Sequence, residues 1–383
     1  MTPWVEKKLG DVLQLQRGFD LPSSARRAGD VPIVSSSGVT GFHAEAAAKA
    51  PGVVTGRYGT LGAVFYLRQD YWPLNTSLFV KDFKGTVPRF AAYLLESLPL
   101  AHSEGAGAVP GINRNVLHAL DVRVPGVATQ SRIATVLGAI DDLIENNRRR
   151  IRVLSGLIML HFDRVERASL TSLTRSTIKQ LCGATGAVQT GPFGSQLHES
   201  DYASEGVPVI MPKDIFDGRV DDSTIARVDA SHVERLERHR LSAGDIVYGR
   251  RGAIGRRALV RPGNVGWLCG TGCLRITLDR AIASPAFVHT YLGKQSVISM
   301  IAARAVGSTM PNLNTSILQG LELDLPTVAI QREFEATVVP LDTLIETLHL
   351  RNATLRRLRD LLLPKLLSGE VDVSRLPLPP DAS

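Results

Sequence analysis

Two stretches of the chain carry apolar residues at alternating steps of four and three, which is the spacing of a heptad seam. In the first stretch the seam positions are Ile133, Leu137, Ile140, Ile144, Asn147, Ile151, Leu154 and Ile158. In the second they are Phe334, Val338, Leu341, Ile345, Leu348, Asn352, Leu355 and Leu362, with Arg359 interrupting the series. The pattern predicts two α-helices of about 35–40 residues, or roughly 50–60 Å in length.

Both helices belong to a longer internal repeat. Residues 109–150 align without a gap on residues 310–351 at an offset of 201, which places Gln130 on Gln331 and Asp141 on Asp342. Upstream, "PRFAAYLL" (88–95) resembles "PAFVHTYL" (285–292), and each predicts a short amphipathic helix opened by proline. The repeat predicts two copies of one architecture, in which a variable strand-rich module leads through a short strand into a long helix.

Each seam contains one asparagine, and the two asparagines are not equivalent under the repeat. Asn147 corresponds to Leu348, and Asn352 corresponds to Ile151. Antiparallel pairing of the helices about a pseudo-twofold axis would place Asn147 opposite Asn352. We predict this pairing, in which a buried polar pair fixes the register at some cost in stability. The alternative is that one or both asparagines face solvent at the edge of the seam.

The predicted fold is therefore α+β, with two small α/β modules, each followed by a long α-helix, and the helices forming an antiparallel coiled coil with pseudo-twofold symmetry. The predicted boundaries are 1–127 and 177–327 for the modules and 128–167 and 328–370 for the helical spacers. Residues 168–176 are predicted to be a linker, and residues 371–383 a flexible C-terminal tail.

Two glycine motifs, "GRYGTLG" (56–62) and "GRRGAIG" (249–255), have a spacing that could cradle a phosphate. A phosphate loop, however, ends in Gly-Lys-Ser/Thr and opens a helix. The first motif runs instead into "AVFYL", whose apolar and aromatic residues favour a strand. We predict that both motifs are turns between strands at corresponding places in the two modules. A nucleotide-dependent enzyme remains the alternative function.

Composition adds a preference for polyanionic partners. The 383 residues include 44 Lys and Arg against 37 Asp and Glu, a net charge of +7. Cys182, Cys269 and Cys273 are too few for a zinc site or a disulfide framework, which predicts reduced thiols. The first residues do not resemble a signal peptide, and no apolar stretch of about 18 residues occurs, so we expect a cytoplasmic protein without a membrane span.

No motif for catalysis is evident, so neither catalytic residues nor metal ligands are predicted. Polar and basic side chains at predicted turns are instead candidates for DNA contacts, because these side-chain types suit base edges and phosphates. In the first module the candidates are Arg17, Ser36, Ser37, Thr40, Arg57, Tyr58, Asn75 and Thr76. In the second they are Gln189, Ser195, Lys213, Asp214, Tyr248, Arg250, Arg251 and Arg256. For each residue, an ordinary solvated loop side chain is the alternative.

The repeated segments resemble the specificity subunits of Type I restriction–modification systems over essentially the whole chain. The most specific pieces are "VPGINRNVLHALDVRVPGVATQSRIATVLGAIDDLIE", "MPNLNTSILQGLELDLPTVAIQREFEATVVPLDTLIE" and the terminal "LRDLLLPKLLSGEVDV". The Glu-Gln that usually follows the prolines is replaced here by Thr129-Gln130 and Ile330-Gln331.

The resemblance implies two target-recognition domains that each read one half of a bipartite double-stranded DNA sequence. The helices would set the spacing and dock two methyltransferase subunits, and restriction subunits would join for cleavage. S-adenosylmethionine, ATP and magnesium would bind those partners, so this chain itself would need no cofactor. A coiled-coil adaptor that binds protein, and a system that only methylates DNA, are the remaining alternatives.

Overall fold

The computed structural model describes residues 4–100, 111–194, 196–252, 254–305 and 312–376. The chain forms two compact units, of which unit 1 comprises Met1–Arg149 with Leu348–Ser383 and unit 2 comprises Arg150–Thr347. Both division points fall inside the long helices. Each unit therefore contains one strand-rich arm and one half of each helix. We call residues 4–126 arm 1 and residues 169–327 arm 2.

Arm 1 consists of short strands and short helices that precede the first long helix. Its strands are β1 (Val5–Lys8), β2 (Gln14–Arg17), β3 (Val31–Ser35), β4 (Gly38–His43), β5 (Gly52–Gly56), β6 (Val64–Leu67), β7 (Trp72–Pro73), β8 (Ser77–Asp82) and β9 (Asp121–Val124). Its helices are α1 (Leu9–Val12), α2 (Pro88–Glu96) and α3 (Arg114–His118), and the long helix α4 (Val127–Ala168) follows. The sheet orders are β2-β8-β5-β6 and β4-β3-β7, and β1 pairs with β9.

Arm 2 has a similar series of elements. Its strands are β10 (Thr174–Thr177), β11 (Ala187–Thr190), β12 (Val207–Ile210), β13 (Ile215–Phe216), β14 (Arg219–Val220), β15 (Ala226–Val228), β16 (Ile246–Gly249), β17 (Arg257–Leu259), β18 (Leu268–Cys269), β19 (Cys273–Thr277) and β20 (Glu322–Leu325). Its helices are α5 (Ile178–Cys182), α6 (Ala230–Arg235), α7 (Pro285–Tyr291), α8 (Gln295–Arg304) and α9 (Thr315–Gln319), and the long helix α10 (Val328–Ser368) follows. The sheet orders are β11-β19-β16-β17, β15-β12-β18, the hairpin β13-β14 and the pair β10-β20.

The two arms share one topology. The order β2-β8-β5-β6 corresponds strand for strand to β11-β19-β16-β17. In the second sheets, β3 pairs antiparallel with β4 and parallel with β7, and β12 pairs in the same way with β15 and β18. The duplication therefore extends into modules whose sequences match only loosely. The predicted α+β class with a repeated architecture is confirmed.

A repeated glutamine joins the short helix to the long helix in each unit. Gln130 accepts a hydrogen bond from the backbone N–H of Val87 at 3.0 Å and donates to the Pro125 carbonyl at 2.9 Å. Gln331 makes the corresponding bonds to Ser284 and Pro326 at the same distances. Both glutamines are buried, so these bonds satisfy polar groups that water cannot reach.

The helices pair antiparallel within each unit. In unit 1, Ile133 and Leu137 near the start of α4 share a core with Leu363 and Leu366 near the end of α10. In unit 2, the rings of Phe162, Phe287 and Phe334 form the centre, with centroid separations of 4.9–5.6 Å. Aromatic rings in edge-on and tilted contact stabilise such a core beyond their buried area.

The predicted asparagine pair lies in unit 1. The Nδ2 of Asn147 donates a hydrogen bond to the Oδ1 of Asn352 at 2.9 Å, and both side chains are buried. This contact confirms the predicted register, and the alternative of solvent-facing asparagines is wrong. Because either amide alone would be left unsatisfied, a shifted register carries a penalty that an all-leucine seam would lack.

The C-terminal segment departs from the prediction of a flexible tail beginning at residue 371. Val373 is buried in the core of unit 1, and Val371 and Leu376 pack against it. Arg132 of α4 also donates to the carbonyls of Ser374 at 3.2 Å and Leu376 at 3.3 Å. The apolar residues of this segment cover the core, so residues 371–376 are ordered against unit 1. Residues 377–383 lie outside the described residues.

Candidate nucleic-acid interface

Several loops of arm 1 meet around the first glycine motif. They are the end of β2 (17–20), the β3–β4 turn (35–38), the glycine motif itself (56–62) and the β7–β8 turn (74–77). The backbone N–H groups of Arg57 and Tyr58 donate to the Thr76 carbonyl at 2.9 and 3.2 Å. We call these segments the arm-1 loop cluster.

Further main-chain bonds complete this framework. Leu74 N–H donates to Val34 O at 2.8 Å, and Gly18 N–H donates to Ser77 O at 3.1 Å. A Cβ on Gly56 would collide with the Thr60 carbonyl and approach Ser36, so only glycine allows the backbone to approach this closely. The glycine motif is thus held against both neighbouring turns.

Several side chains of the arm-1 loop cluster are polar and at least partly accessible, whereas Ser35, Ser77 and the Thr76 hydroxyl are buried. The Arg57 guanidinium lies over the Tyr58 ring, 4.5 Å from its centroid. Asn75 donates to Asp20, which also lies 3.7 Å from the Arg17 guanidinium. The structure therefore brings together Arg17, Ser36, Ser37, Arg57, Tyr58, Asn75 and Thr76. Thr40 lies farther along β4, where its exposed hydroxyl donates to the Ile33 carbonyl at 3.5 Å.

The second glycine motif lies in the same backbone framework. Arg250 N–H donates to Gly272 O at 2.8 Å, Gly270 N–H donates to Ile210 O at 2.9 Å, and Gly191 N–H donates to Cys273 O at 2.9 Å. These bonds match, in order, the bonds of Arg57, Leu74 and Gly18 in arm 1. The arm-2 loop cluster therefore consists of residues 189–191, 211–214, 249–252, 254–257 and 269–273.

In each arm, the segment just before the last short helix adds one more main-chain hydrogen bond to this framework. Ile112 N–H donates to Arg57 O in arm 1, and Leu313 N–H donates to Arg250 O in arm 2, both at 2.9 Å. In neither arm does a helix follow the glycine motif, because β5 leads to β6 and β16 leads to β17. The prediction of turns between strands at corresponding places is confirmed, and the motifs lack the helix that a phosphate loop requires.

The cationic side chains of the arm-2 loop cluster differ in how firmly they are held. Arg250 is half-buried, and its Nε donates to Asn312 Oδ1 at 3.0 Å and to Leu313 O at 2.9 Å. Arg256 is exposed and donates to the Pro212 carbonyl at 3.1 Å. Arg251 is exposed and forms no ion pair with any residue that the structure describes. Arg250 therefore supports the loop, whereas Arg251 is available to a ligand.

Tyr248 corrects the sequence-based expectation of a residue on a surface turn. It lies in β16 and is fully buried, as are Ile246 and Val247 beside it. Burial raises the pKa of its hydroxyl to about 12. The strand is covered on both faces, so the Tyr248 hydroxyl lies in the protein interior although it is polar. Tyr248 belongs to the core of unit 2.

Other candidates of arm 2 are also engaged within the protein. The buried Asp214 carboxylate accepts from the Met211 N–H at 2.9 Å and from the exposed Lys213 at 2.7 Å. Gln189 lies on β11 rather than at a turn, and its Oε1 accepts from Arg275 at 2.5 Å. Ser195 lies outside the described residues. Of this group, Lys213 presents the accessible charge.

The segment "CGTGC" (269–273) has a role in the arm-2 loop cluster that its sequence does not reveal, because only its two thiols stand out there. In the structure this segment takes the place of "PLNTS" (73–77), since Gly272 and Thr76 receive equivalent N–H groups. Burial raises the pKa of Cys269 to about 12, so this thiol stays protonated at neutral pH. The position of the segment in the repeat could have indicated this role. Both "PLNTS" and "CGTGC" lead into the strand that pairs with the strand of the glycine motif, which is β8 beside β5 in arm 1 and β19 beside β16 in arm 2.

The chemistry of the two loop clusters is that of binding. Accessible guanidinium groups, an exposed aromatic ring, hydroxyls and amides can contact phosphates and base edges. Among the residues that the structure describes, no group of three or more His, Cys, Asp or Glu could hold a metal ion. Nor does any helix in the described ranges have the length and apolar character to cross a membrane.

One loop framework built twice, with different side chains in each copy, defines a class of proteins that present two non-identical recognition surfaces on a single chain. Comparison with known proteins supports this class. Residues 1–155 match the family model described as the Type I restriction modification DNA specificity domain. The chain therefore contains a match to this DNA specificity domain within residues 1–155 and is similar to Type I restriction enzyme specificity subunits over most of its length. These matches support DNA sequence recognition as the role of the chain.

Individual relatives resemble the chain over most of its length. It is 22% identical over 331 residues to the Type I restriction enzyme MjaIX specificity subunit of Methanocaldococcus jannaschii. This alignment covers 79% of this chain and 74% of that protein. It is 20% identical over 315 residues to the MjaVIII specificity subunit of the same organism, with 75% and 70% covered. Its fold resembles the crystal structure of a Type I S subunit from M. genitalium with a TM-score of 0.68, at 16% identity over 96% of each chain.

Proposed function

We propose that this chain recognises a bipartite double-stranded DNA sequence, with the loop cluster of each arm contacting one half-site. The observation that carries this proposal is the matched set of main-chain bonds beneath unlike side chains. Arg57 and Tyr58 in arm 1 stand where Arg250 and Arg251 stand in arm 2. A common framework would dock each arm on DNA in a similar way, while the exchanged side chains would select different bases.

Sequencing the methylated DNA of the host, with and without the gene for this chain, tests the proposal directly. We expect a split adenine-methylated motif, with two defined halves around an unspecified spacer, that disappears on deletion. Restoring the wild-type gene on a plasmid is the control and should return the same motif. Unchanged methylation in the deletion strain would contradict the proposed function.

The helices of this subunit would also dock two methyltransferase subunits, and restriction subunits would join the assembly for cleavage. A repeated pair of exposed leucines supports two equivalent docking sites. Leu157 and Leu160 are 47% and 61% exposed, and their repeat equivalents Leu358 and Leu361 are 44% and 60% exposed. Single exposed leucines are ordinary on a protein surface, but the same pair exposed to the same degree at both repeat positions favours one kind of partner bound twice.

Removing one leucine pair tests the stoichiometry. In Leu358→Glu/Leu361→Glu, we expect the complex to retain one methyltransferase subunit instead of two, because two charges replace the apolar contact. Native mass spectrometry of the purified complex measures this ratio. Leu350→Glu is the matched control, since Leu350 is exposed on the same helix but its repeat equivalent is Arg149. Two bound methyltransferases in the double variant would argue against this docking site.

Catalysis in the assembly would belong to the partners. S-adenosylmethionine would bind the methyltransferase subunits, and ATP and magnesium would serve the restriction subunits in the cytoplasm. This division of labour agrees with the chemistry of the loop clusters, whose side chains suit DNA binding and whose glycine motifs connect strands. Affinity that does not depend on sequence would come from phosphate contacts and would fall as salt rises.

A further inference from the structure

An arginine from arm 1 makes a bidentate contact with the first long helix. The Arg89 guanidinium on α2 donates to Asp142 through Nη2 at 2.6 Å and Nη1 at 3.1 Å, and Nη2 also donates to the Gly138 carbonyl at 2.9 Å. Arg68 pairs with the same carboxylate. Burial disfavours the ionised form of Asp142, but the hydrogen bond from Arg89 prevails and lowers its pKa.

Gly138 allows this contact. A Cβ at this position would lie 2.5 Å from the Cζ of Arg89, so any larger residue must displace the guanidinium. The repeat places Val339 at the equivalent position of α10, where its side chain is exposed. At Gly138 the first long helix therefore leaves space for the guanidinium of Arg89, whereas the second long helix has a larger side chain at the equivalent position.

A second layer of contacts joins α2 to both long helices of unit 1. The Tyr93 hydroxyl donates to Asp141 at 2.6 Å. Arg359 of α10 lies 3.4 Å from Asp141 and 3.3 Å from Glu96. This explains why Arg359 interrupts the apolar seam, because it connects the short helix of the arm to the helix pair.

In unit 2 the same turn of the helix receives arginines from other elements. Arg261, in the loop after β17, donates to Asp342 through Nε at 2.6 Å and Nη2 at 2.7 Å. Arg219 of β14 pairs with Glu346, and both partners are partly or largely buried. Asp342 and Glu346 are the repeat equivalents of Asp141 and Glu145. Each arm is thus fastened at the same turn of its helix, but from a different part of the arm.

We propose that these arginine–carboxylate clamps hold each arm at a fixed angle on its helices and thereby set the spacer length that the subunit accepts between half-sites. This inference rests on the proposed function. Each arm enters its long helix through only two residues, Pro125-Gly126 or Pro326-Thr327, which cannot prevent pivoting alone. A bidentate ion pair is directional and resists such rotation. Because one base pair turns DNA by about a tenth of a helical turn, a small pivot would admit a neighbouring spacer length.

The test uses the complex reconstituted with its methyltransferase and a DNA library in which fixed half-sites flank spacers of varied length. In Arg89→Met and Arg261→Met, we expect the preference for the native spacer over one base pair more or fewer to fall about tenfold, while base preference within each half-site is unchanged. A merely structural role would lower methylation at all spacer lengths together.

Gly138→Ala provides a second variant that does not endanger folding through helix propensity, because alanine favours the helix. It should displace Arg89 and broaden the spacer profile as Arg89→Met does. Lys8→Met is the control, since it removes an exposed ion pair to Asp121 within arm 1 and should leave the profile unchanged.

A native spacer profile in both Arg89→Met and Gly138→Ala would overturn the clamp, as would a change in base preference. A wild-type complex with no spacer-dependent methylation would overturn the proposed function itself, and the clamp with it. The wild-type profile thus separates the two failures.

Discussion

Replacing residues 1–127 with the corresponding module of another specificity subunit is expected to change one half of the methylated sequence and to leave the other half intact. The reason is that every framework bond of a loop cluster is made within its own arm, as the bonds of Arg57 to Thr76 and of Arg250 to Gly272 show. Among the described residues, the framework bonds of the arm-1 loop cluster join segments of arm 1. Sequencing of methylated DNA measures the outcome as a new motif in which one half is retained.

The exchange needs a donor module that keeps the contacts with α4. An arginine at position 89 and an N–H facing Gln130 preserve the junction, so the new arm is held as the original is. The reciprocal exchange of residues 177–327 is the control and should change only the other half. Alteration of both halves by a single exchange would refute independent arms.

The second large effect is expected from Arg251→Ala, which should weaken binding to the cognate DNA about ten- to a hundredfold, equivalent to about 1–3 kcal/mol. The exposed Arg251 guanidinium has no carboxylate partner among the described residues, so its removal costs contacts with DNA rather than contacts within the protein. The melting temperature of the Arg251→Ala variant should therefore match that of the wild type. Fluorescence anisotropy on the reconstituted complex measures the loss.

The neighbouring arginine separates binding from folding. Arg250→Ala should lower both affinity and the melting temperature, because its guanidinium bonds to Asn312 and Leu313 hold the glycine motif in place. Arg175→Ala removes an exposed arginine of arm 2 that pairs with Asp324 away from the loop cluster, and affinity should be unchanged. Equal affinity of Arg251→Ala and the wild type would show that this loop does not contact DNA.

The parts of the structure that could be predicted are those with a periodic signal. The heptad seams predicted both long helices, which extend over Val127–Ala168 and Val328–Ser368. The register followed from a single polar pair, since Asn147 and Asn352 satisfy each other only in one alignment. The repeat also identified the two glycine motifs as corresponding turns, because a duplicated chain repeats its connections as well as its helices.

Features that depend on tertiary contacts could not be predicted from the sequence. Tyr248 carries a hydroxyl, which suggests a surface position, but it lies in a strand covered on both faces. Arg219 and Arg261 are ordinary arginines in the sequence, and only the folded arm brings them to the carboxylates of α10. Val373 lies between polar residues near the C-terminus, yet it is buried in the hydrophobic core of unit 1. None of these has a local pattern, because the partner in each case is distant in the chain.

The division of the chain into units has a consequence for the order in which the protein is made. Unit 2 is one continuous segment, Arg150–Thr347, whereas unit 1 needs the last helix to meet the first arm, with contacts such as Arg132 to Val373 across 241 residues. Closing so long a loop is slow in comparison with local folding. On the ribosome, we therefore expect arm 1 to emerge first and to keep part of its core exposed until the final helix is synthesised. The half of the protein that is translated first is the half that finishes folding last.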